Sequence, residues 1–424
     1  MKLDRNLAPE IKLIDVINFP APEKFTLSNG IEVYGFNLGS QEVIQIDLTF
    51  DINRSNAKNP FVAKAVNELI GETTRNKANG VLEEEIDFYG AFLESNYSVD
   101  HSSVSLFTLT NKLDNVLPLF EEAVKETIFS ERELSIFLKN QKHKFLVQQE
   151  KVATLARRLY SKLLYGDHYY GQRTELEDFD QTTLDDLTKF YQDYYVAENC
   201  SILITGKYNE DIYAKLDAVF GNLKRGKKNN SAHPVFSNIP AKEVHLKEDA
   251  VQSAIRIGKI LDVEFGSDDY FRLKVLNTVL GGYFGSRLMM NIREDKGYTY
   301  GIGSGLNAML NAVVFSIATE VGSDVTSDAL NEIYKEISKL CTEKITDEEL
   351  QTVKNHMLGS LLSASDGPFS IAQQFKAVNF KGCDFSFFED FIRVIKNTTS
   401  EELLEISNKY LQIDTMVEAI AGKV

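Results

Sequence analysis

The sequence predicts an α+β fold of two homologous repeats, each a mainly antiparallel sheet with helices packed on one face. Three observations carry this. Strand-like and helix-like patterns come in groups instead of alternating strictly. A single offset of 216 residues relates one long stretch of chain to a later one. Between the two stretches, "FGNLKRGKKNNSAHPVFSNIPAKE" (220–243) is polar, rich in Lys, Asn and Ser, and punctuated by Gly and Pro, which marks an exposed connector. The expected organisation is a first repeat over 1–222, a linker over 223–240 and a second repeat over 241–424. At 424 residues, more than one core is expected in any case.

In chain order, the alternating segments "IEVYGFNL" and "VIQIDLTFDI" read as strands. A helix follows near Pro60 to Gly71, then a second in "LEEEIDFYGA". "FLESNYSV" and "SSVSLFTLT" read as an antiparallel pair. Long helices come next, and "SILITG" closes the unit. The second half repeats the order: strand "SAIRIGKIL", helices "DDYFRLKVLNTVLGG" and "SRLMMNIRED", strands "YTYGIGSG" and "AVVFSIATEV", long helices, and the closing strand "MVEAIAG". In the strand expected from about Gly297, Tyr298 and Tyr300 share one face.

The offset is specific. Ser130 with Glu133 and Thr346 with Glu349 are capping boxes 216 residues apart. Thr183 with Asp186 and Thr399 with Glu402 repeat the relation, as do Tyr194 with Tyr410 and Gly206 with Gly422. Chance does not hold one register across a helix-helix-strand segment, so a duplicated unit is the simplest reading.

Composition excludes several functions. A net charge of −16 argues against a nucleic-acid surface, which needs clustered Lys and Arg. No stretch approaches the ~18 apolar residues of a membrane span. "MKLDRNLAPEIKLIDVINFP" has no apolar run suited to a signal peptide. The three cysteines, Cys200, Cys341 and Cys383, are far apart, which fits free thiols in a reducing compartment. The expected location is the cytoplasm, or the periplasm if the N-terminus has been trimmed.

Side-chain chemistry leaves few candidates. The six histidines, at 101, 143, 168, 233, 245 and 356, form no H-E-x-x-H or H-x-x-E-H, and C-x-x-C is absent too. There is no G-x-S-x-G elbow. Glu83, Glu84 and Glu85 read as a solvated helix face. "GGYFGSRL" has glycines ahead of a helix but lacks the Lys-Ser/Thr of a phosphate loop, so close packing is the better reading. Arg293 and Tyr300 remain. An Arg grips a carboxylate or carbonyl with several donors, and a Tyr donates to a developing oxyanion. Taken alone, such a pair is more often structural.

"GSRLMMNIREDKGYTYGIGSG" resembles the C-terminal signature of the insulinase/pitrilysin metallopeptidases, S-R-L-x-x-x-[IL]-R-E-x-x-G-x-x-Y. The duplicated halves are similar to that family's LuxS/metallohydrolase-like, processing-peptidase architecture. The likeness runs over nearly the whole chain, toward the bacterial heterodimeric relatives of the mitochondrial processing peptidase. In that type, one subunit carries a zinc motif, H-x-x-E-H, in its first repeat. The other lends an Arg and a Tyr from its second repeat. The resemblance places these on Arg293 and Tyr300. The zinc helix falls in "FVAKAVNELIGETT", where Lys64, Asn67 and Glu68 stand at the first His, the Glu base and the second His. The distal Glu ligand falls near Lys144. The resemblance therefore implies no zinc in this chain, zinc in a partner subunit, and a peptide or unfolded polypeptide as substrate. A homodimer is admitted for the chain in isolation. The alternative it leaves is a catalytically inert scaffold, like the related core subunits of respiratory complexes.

Overall fold

Alternation along Val43–Asp51 organises the first half. Ile44, Ile46, Leu48 and Phe50, each at most 1% exposed, face one side, and Gln45, Asp47 and Thr49 face the other, where they too are buried. A strand buried on both faces needs a layer on each side. The computed structural model, which describes residues 14, 16–52, 59–228, 236 and 239–424, shows where those layers come from. Half of the linker predicted from the sequence, including His233, lies outside the described residues.

Two sheets repeat one topology. Strands β1 (Glu23–Thr26), β2 (Glu32–Asn37), β3 (Val43–Asp51), β4 (Phe92–Tyr97), β5 (His101–Leu109) and β6 (Cys200–Gly206) lie in the order β1-β2-β6-β3-β5-β4. Strands β7 (Ala241–Leu246), β8 (Gln252–Leu261), β9 (Ile302–Ala308), β10 (Val313–Gly322) and β11 (Val417–Gly422) lie in the order β7-β11-β8-β10-β9. Within each, one pair is parallel, β2 with β6 and β7 with β11, and the others are antiparallel. This is the α+β arrangement that the grouped patterns predict.

The helices of the first half are α1 (Phe61–Leu69), α2 (Val81–Phe88), α3 (Leu113–Lys125), α4 (Glu131–Gln149), α5 (Val152–Tyr165), α6 (Leu176–Gln181), α7 (Leu184–Tyr194) and α8 (Ile212–Phe220). Those of the second are α9 (Asp268–Asn277), α10 (Thr326–Thr342), α11 (Asp347–Ala364), α12 (Pro368–Asn379), α13 (Ser386–Asn397) and α14 (Ser400–Tyr410). All four N-caps read from sequence form, but the reciprocal half of the predicted capping box is absent at Ser130 and Thr346. Ser130 Oγ accepts from the Glu133 N–H at 3.3 Å, and Thr346 Oγ1 from the Glu349 N–H at 3.2 Å. Thr183 with Asp186 and Thr399 with Glu402 make reciprocal capping boxes. The first residues of α4 and α11, of α5 and α12, and of α7 and α14 are each 216 positions apart.

One feature is not in the sequence reading. Each half lends a helix to the other half's sheet. Helix α5 packs on β8 and β11, with Tyr160 and Leu164 against Ile260, Val314 and Val417. Its counterpart α12 packs on β6 and β2, with Phe375 and Val378 against Phe36 and Leu203. Full burial of each such side chain is worth roughly 1.5–3 kcal/mol, so the exchange binds the halves firmly. It also carries a charge pair. Lys376 Nζ of α12 lies 2.5 Å from Asp47 Oδ2, and Ser105 Oγ donates to Asp47 Oδ1 at 3.1 Å.

Candidate functional site

Helix α9 runs into a π-helical turn, Thr278–Gly282, that breaks at Gly281. A Cβ on Gly281 would sit 2.5 Å from the Ser304 nitrogen, so the missing side chain lets β9 press against the helix end. Asn277 and Ser304 fasten that contact reciprocally: Asn277 Nδ2 donates to the Ser304 carbonyl at 3.3 Å and Ser304 Oγ to the Asn277 carbonyl at 3.2 Å. The glycines therefore serve packing, as their sequence context suggests.

The signature that follows separates into anchors and free ends. Arg287 is an anchor: its Nε and Nη2 reach the two carboxylate oxygens of Glu349 on α11 at 2.8 and 2.7 Å. Asn291 is another, donating to Glu332 and Glu336 on α10 at 2.9 and 2.8 Å. Both lie in or just before a second π-helical segment, Met289–Asp295, pinned by the buried Ile292. Arg293 comes next and turns outward. Its guanidinium lies 4.7 Å from the centre of the Phe284 ring, with Glu294 3.6 Å from Nε. Gly297, at φ +68°, ends the segment and donates its N–H to the Arg293 carbonyl at 3.1 Å.

Tyr300 is held differently from its sequence expectation. The strand begins at Ile302, not near Gly297, and Tyr298 packs half-buried against the second core while Tyr300 is 94% exposed. The cause is Thr299. Its hydroxyl donates to the Glu320 carbonyl at 2.7 Å and receives the Gly301 N–H at 3.1 Å and the Thr319 hydroxyl at 3.0 Å. These bonds fix the backbone on both sides of Tyr300 and hold it off the ladder. The ring stands at the rim of a cavity of about 350 Å³ on the α5 side of the second sheet, lined also by Ala153, Gln252, Arg256 and Glu320. Arg293 is not among its walls, and no hydrogen bond or ring contact joins Arg293 to Tyr300.

The positions to which the sequence resemblance assigns the zinc motif hold a different set. Lys64 Nζ lies 3.4 Å from Glu68 Oε1 one turn along α1 and 3.2 Å from Gln141 Oε1 on α4. Gln141 Nε2 donates to Glu68 Oε2 at 2.9 Å, closing a triad. Asn67, 1% exposed, donates to the Ser103 carbonyl at 3.3 Å. These residues do not fit a metal: the Lys64 ammonium occupies the space between them, and the Glu68 carboxylate and Gln141 amide satisfy it. Among the described residues, no three His, Cys, Asp or Glu side chains come together in a way that could hold a metal ion. Lys144 is exposed and stays outside the triad. The residue of α4 that meets α1 is Gln141, one turn earlier. Its signal in the sequence was a polar side chain on the inward face of α4, readable only once the partner helix is known.

Elsewhere, a larger cavity of about 910 Å³ lies between the polar face of the first sheet, α12 and the β9–β10 turn. Asp100 ties the halves together at its edge, accepting from Tyr169 and Tyr170 at 3.0 and 2.7 Å and from the Leu310 N–H at 3.1 Å. Burial, and then the charge of Lys376, push His101 down to about 4. Burial pushes Asp51 up to about 6. All three cysteines are free, with thiols pushed up by burial.

Comparison with known proteins agrees with this geometry. Residues 181–357 match the family description "Peptidase M16 inactive domain". An uncharacterized zinc protease of Rickettsia felis is 22% identical over 414 residues, covering 93% of this chain and 96% of that one. A Helicobacter pylori protein named "Non-peptidase homolog YmxG" is 23% identical over 248 residues, 57% of this chain and 56% of that one. The crystal structure of a peptidase M16 inactive domain from Pseudomonas fluorescens is similar at a TM-score of 0.88 and 25% identity, covering 95% of this chain and 98% of that one.

Proposed function

We propose that this chain is the non-zinc subunit of a heterodimeric peptidase of the M16 (insulinase/pitrilysin) family, whose inactive-domain description matches residues 181–357. In this reading a partner subunit carrying H-x-x-E-H holds the zinc. This chain lends Arg293 and Tyr300 to the partner's site during hydrolysis of peptides or unfolded segments.

The observation that carries the reading is the contrast between the two halves. In the first, Lys64, Glu68 and Gln141 satisfy one another and leave no room for metal. In the second, Tyr300 is braced on both sides by the Thr299 network yet presents a free phenol. With its backbone fixed and its hydroxyl unengaged, this phenol can donate to the oxygen that gains charge as a peptide carbonyl is attacked. Arg293, supported by the Phe284 ring, presents guanidinium donors suited to a peptide carbonyl or carboxylate. The proposed location is the cytoplasm. No helix among the described residues is long and apolar enough to cross a membrane.

The second reading is an inert scaffold. It is favoured by the neighbours that Arg293 already has in Glu294 and Phe284. Co-expression with a zinc-motif family member separates the two. The first reading expects a complex on size exclusion that cleaves peptides, with neither chain active alone. A stable complex whose activity equals that of the zinc subunit alone supports the scaffold.

A further inference from the structure

The cavity beneath Tyr300 contains a half-buried positive charge, Arg256, that makes no ion pair or side-chain hydrogen bond among the described residues and is attracted only at a distance by Glu320. Arg256 rises from β8 in register with Ala318 on β10 and Ala419 on β11. Its neighbour on the same face, Ala254, lies opposite Ala421. Alanines on three strands leave open space around a long side chain. Above them, α5 presents Ala153 to the cavity and packs Ala156 on Ala254 and Ala421, and its exposed Arg157 lies outside the cavity lining but near enough to Arg256 to repel it. Arg256 is half-buried, and among the described residues neither it nor Arg157 makes an ion pair or side-chain hydrogen bond. Glu320 is the one acid among the cavity's described walls. It stands opposite Ala254, a diagonal neighbour of Arg256, at roughly 7–8 Å between backbones. Its carboxylate is exposed and makes no ion pair with Arg256. Burial, and then the like charge of Arg157, hold the Arg256 guanidinium below its usual range, so the site gains from any anion that enters.

We propose that Arg256 and Arg157 form a carboxylate-binding site next to Tyr300, which holds a carboxylate of the bound peptide and so fixes its register. Three features of the cavity point to a carboxylate. A guanidinium fork matches the two oxygens of a planar carboxylate. The volume, about 350 Å³, suits one terminal residue or one acidic side chain. Glu320 at the rim repels the group from the outer wall and leaves the arginines as its contact. The inference rests on the reading of Tyr300 as a peptide-facing residue.

Three fluorescent peptides of one neutral sequence test it: one with a free C-terminal carboxylate, one amidated, and one amidated with a single internal Glu. Each is titrated with the full chain by anisotropy. At least one carboxylate peptide is expected to bind about 10-fold or more tightly than the neutral amide, and the arm that does so identifies a terminal or a side-chain source. Arg256→Gln should remove that preference, Arg157→Ala should reduce it, and Glu320→Gln should enlarge it. Arg157 is exposed, so its variant keeps the test valid even if Arg256→Gln unfolds, which a thermal melt detects. Equal affinity for all three peptides, or a preference that survives both arginine substitutions, overturns the site. The function is tested separately. A turnover loss in Tyr300→Phe complexes that is the same for all three peptides leaves the subunit role intact even where the carboxylate site fails.

Discussion

Replacing Lys64 and Glu68 by His and Gln141 by Glu should turn the triad into a zinc site. Four-coordinate zinc holds its ligands at about 2.0–2.2 Å, which sets neighbouring ligand atoms about 3.3–3.5 Å apart. The side-chain ends of the present triad are separated by 3.4, 3.2 and 2.9 Å. Three new ligands would project from two helices whose side chains already converge at these positions. Asn67 is left alone because it is buried against Ser103. After desalting, the triple variant should retain about one zinc per chain, and wild type far less. Zinc at 100 times its Kd should stabilise the variant by about 2.7 kcal/mol, and chelation should reverse the gain. A control variant carries the two histidines with Lys144→Glu and an intact Gln141. Zinc retained equally by the control, or by neither variant, refutes the assignment of Gln141 to the lost ligand position.

Two further outcomes follow from the inter-half contacts. Asp47→Ala strands the Lys376 ammonium in a mostly buried setting and should cost about 3–5 kcal/mol in urea unfolding, while Asp47→Leu with Lys376→Met should recover most of that; a double variant no better than the single shows that the pair is not a coupled unit. Asp51, raised to about 6 from its ordinary 3.8, contributes stability that is present in acid and lost as pH rises through 6; His101, lowered to about 4 from 6.5, contributes stability present above 6.5 and lost as pH falls through 4. The two slopes oppose between pH 4 and 6, so Asp51→Asn should expose the His101 slope, a loss of up to about 3 kcal/mol between pH 6.5 and 4. Urea melts across that range that run parallel to wild type would count against a protonated Asp51.

The parts legible in the sequence were those set by local physics. A Ser or Thr three residues ahead of an acid caps a helix when its hydroxyl accepts from that residue's backbone N–H, so Ser130, Thr183, Thr346 and Thr399 identified both the helix starts and the repeat. The alternating strands were legible for the same reason. The exchange of α5 and α12 was not, because Tyr160 and Phe375 mark an apolar face without saying which sheet will cover it. The conformation around Tyr300 was missed because Thr299 bonds to Glu320 and Thr319, about twenty positions away, and that outweighs the local alternation. That Lys64, Asn67 and Glu68 do not spell H-x-x-E-H was visible from residue types. That Gln141, and not Lys144, meets them was not, since the pairing of α1 with α4 sets it.

The central claim is that this chain completes a partner's active site through Tyr300. The most direct test is single-turnover cleavage of a peptide by the reconstituted heterodimer, comparing wild type with Tyr300→Phe. The substitution removes one hydroxyl from a side chain that is 94% exposed in the isolated chain, so assembly and stability should be unchanged. Loss of one oxyanion donor predicts a rate lower by ~100-fold or more with little change in KM. An unchanged rate in a correctly assembled complex would contradict the account and leave the chain as a scaffold.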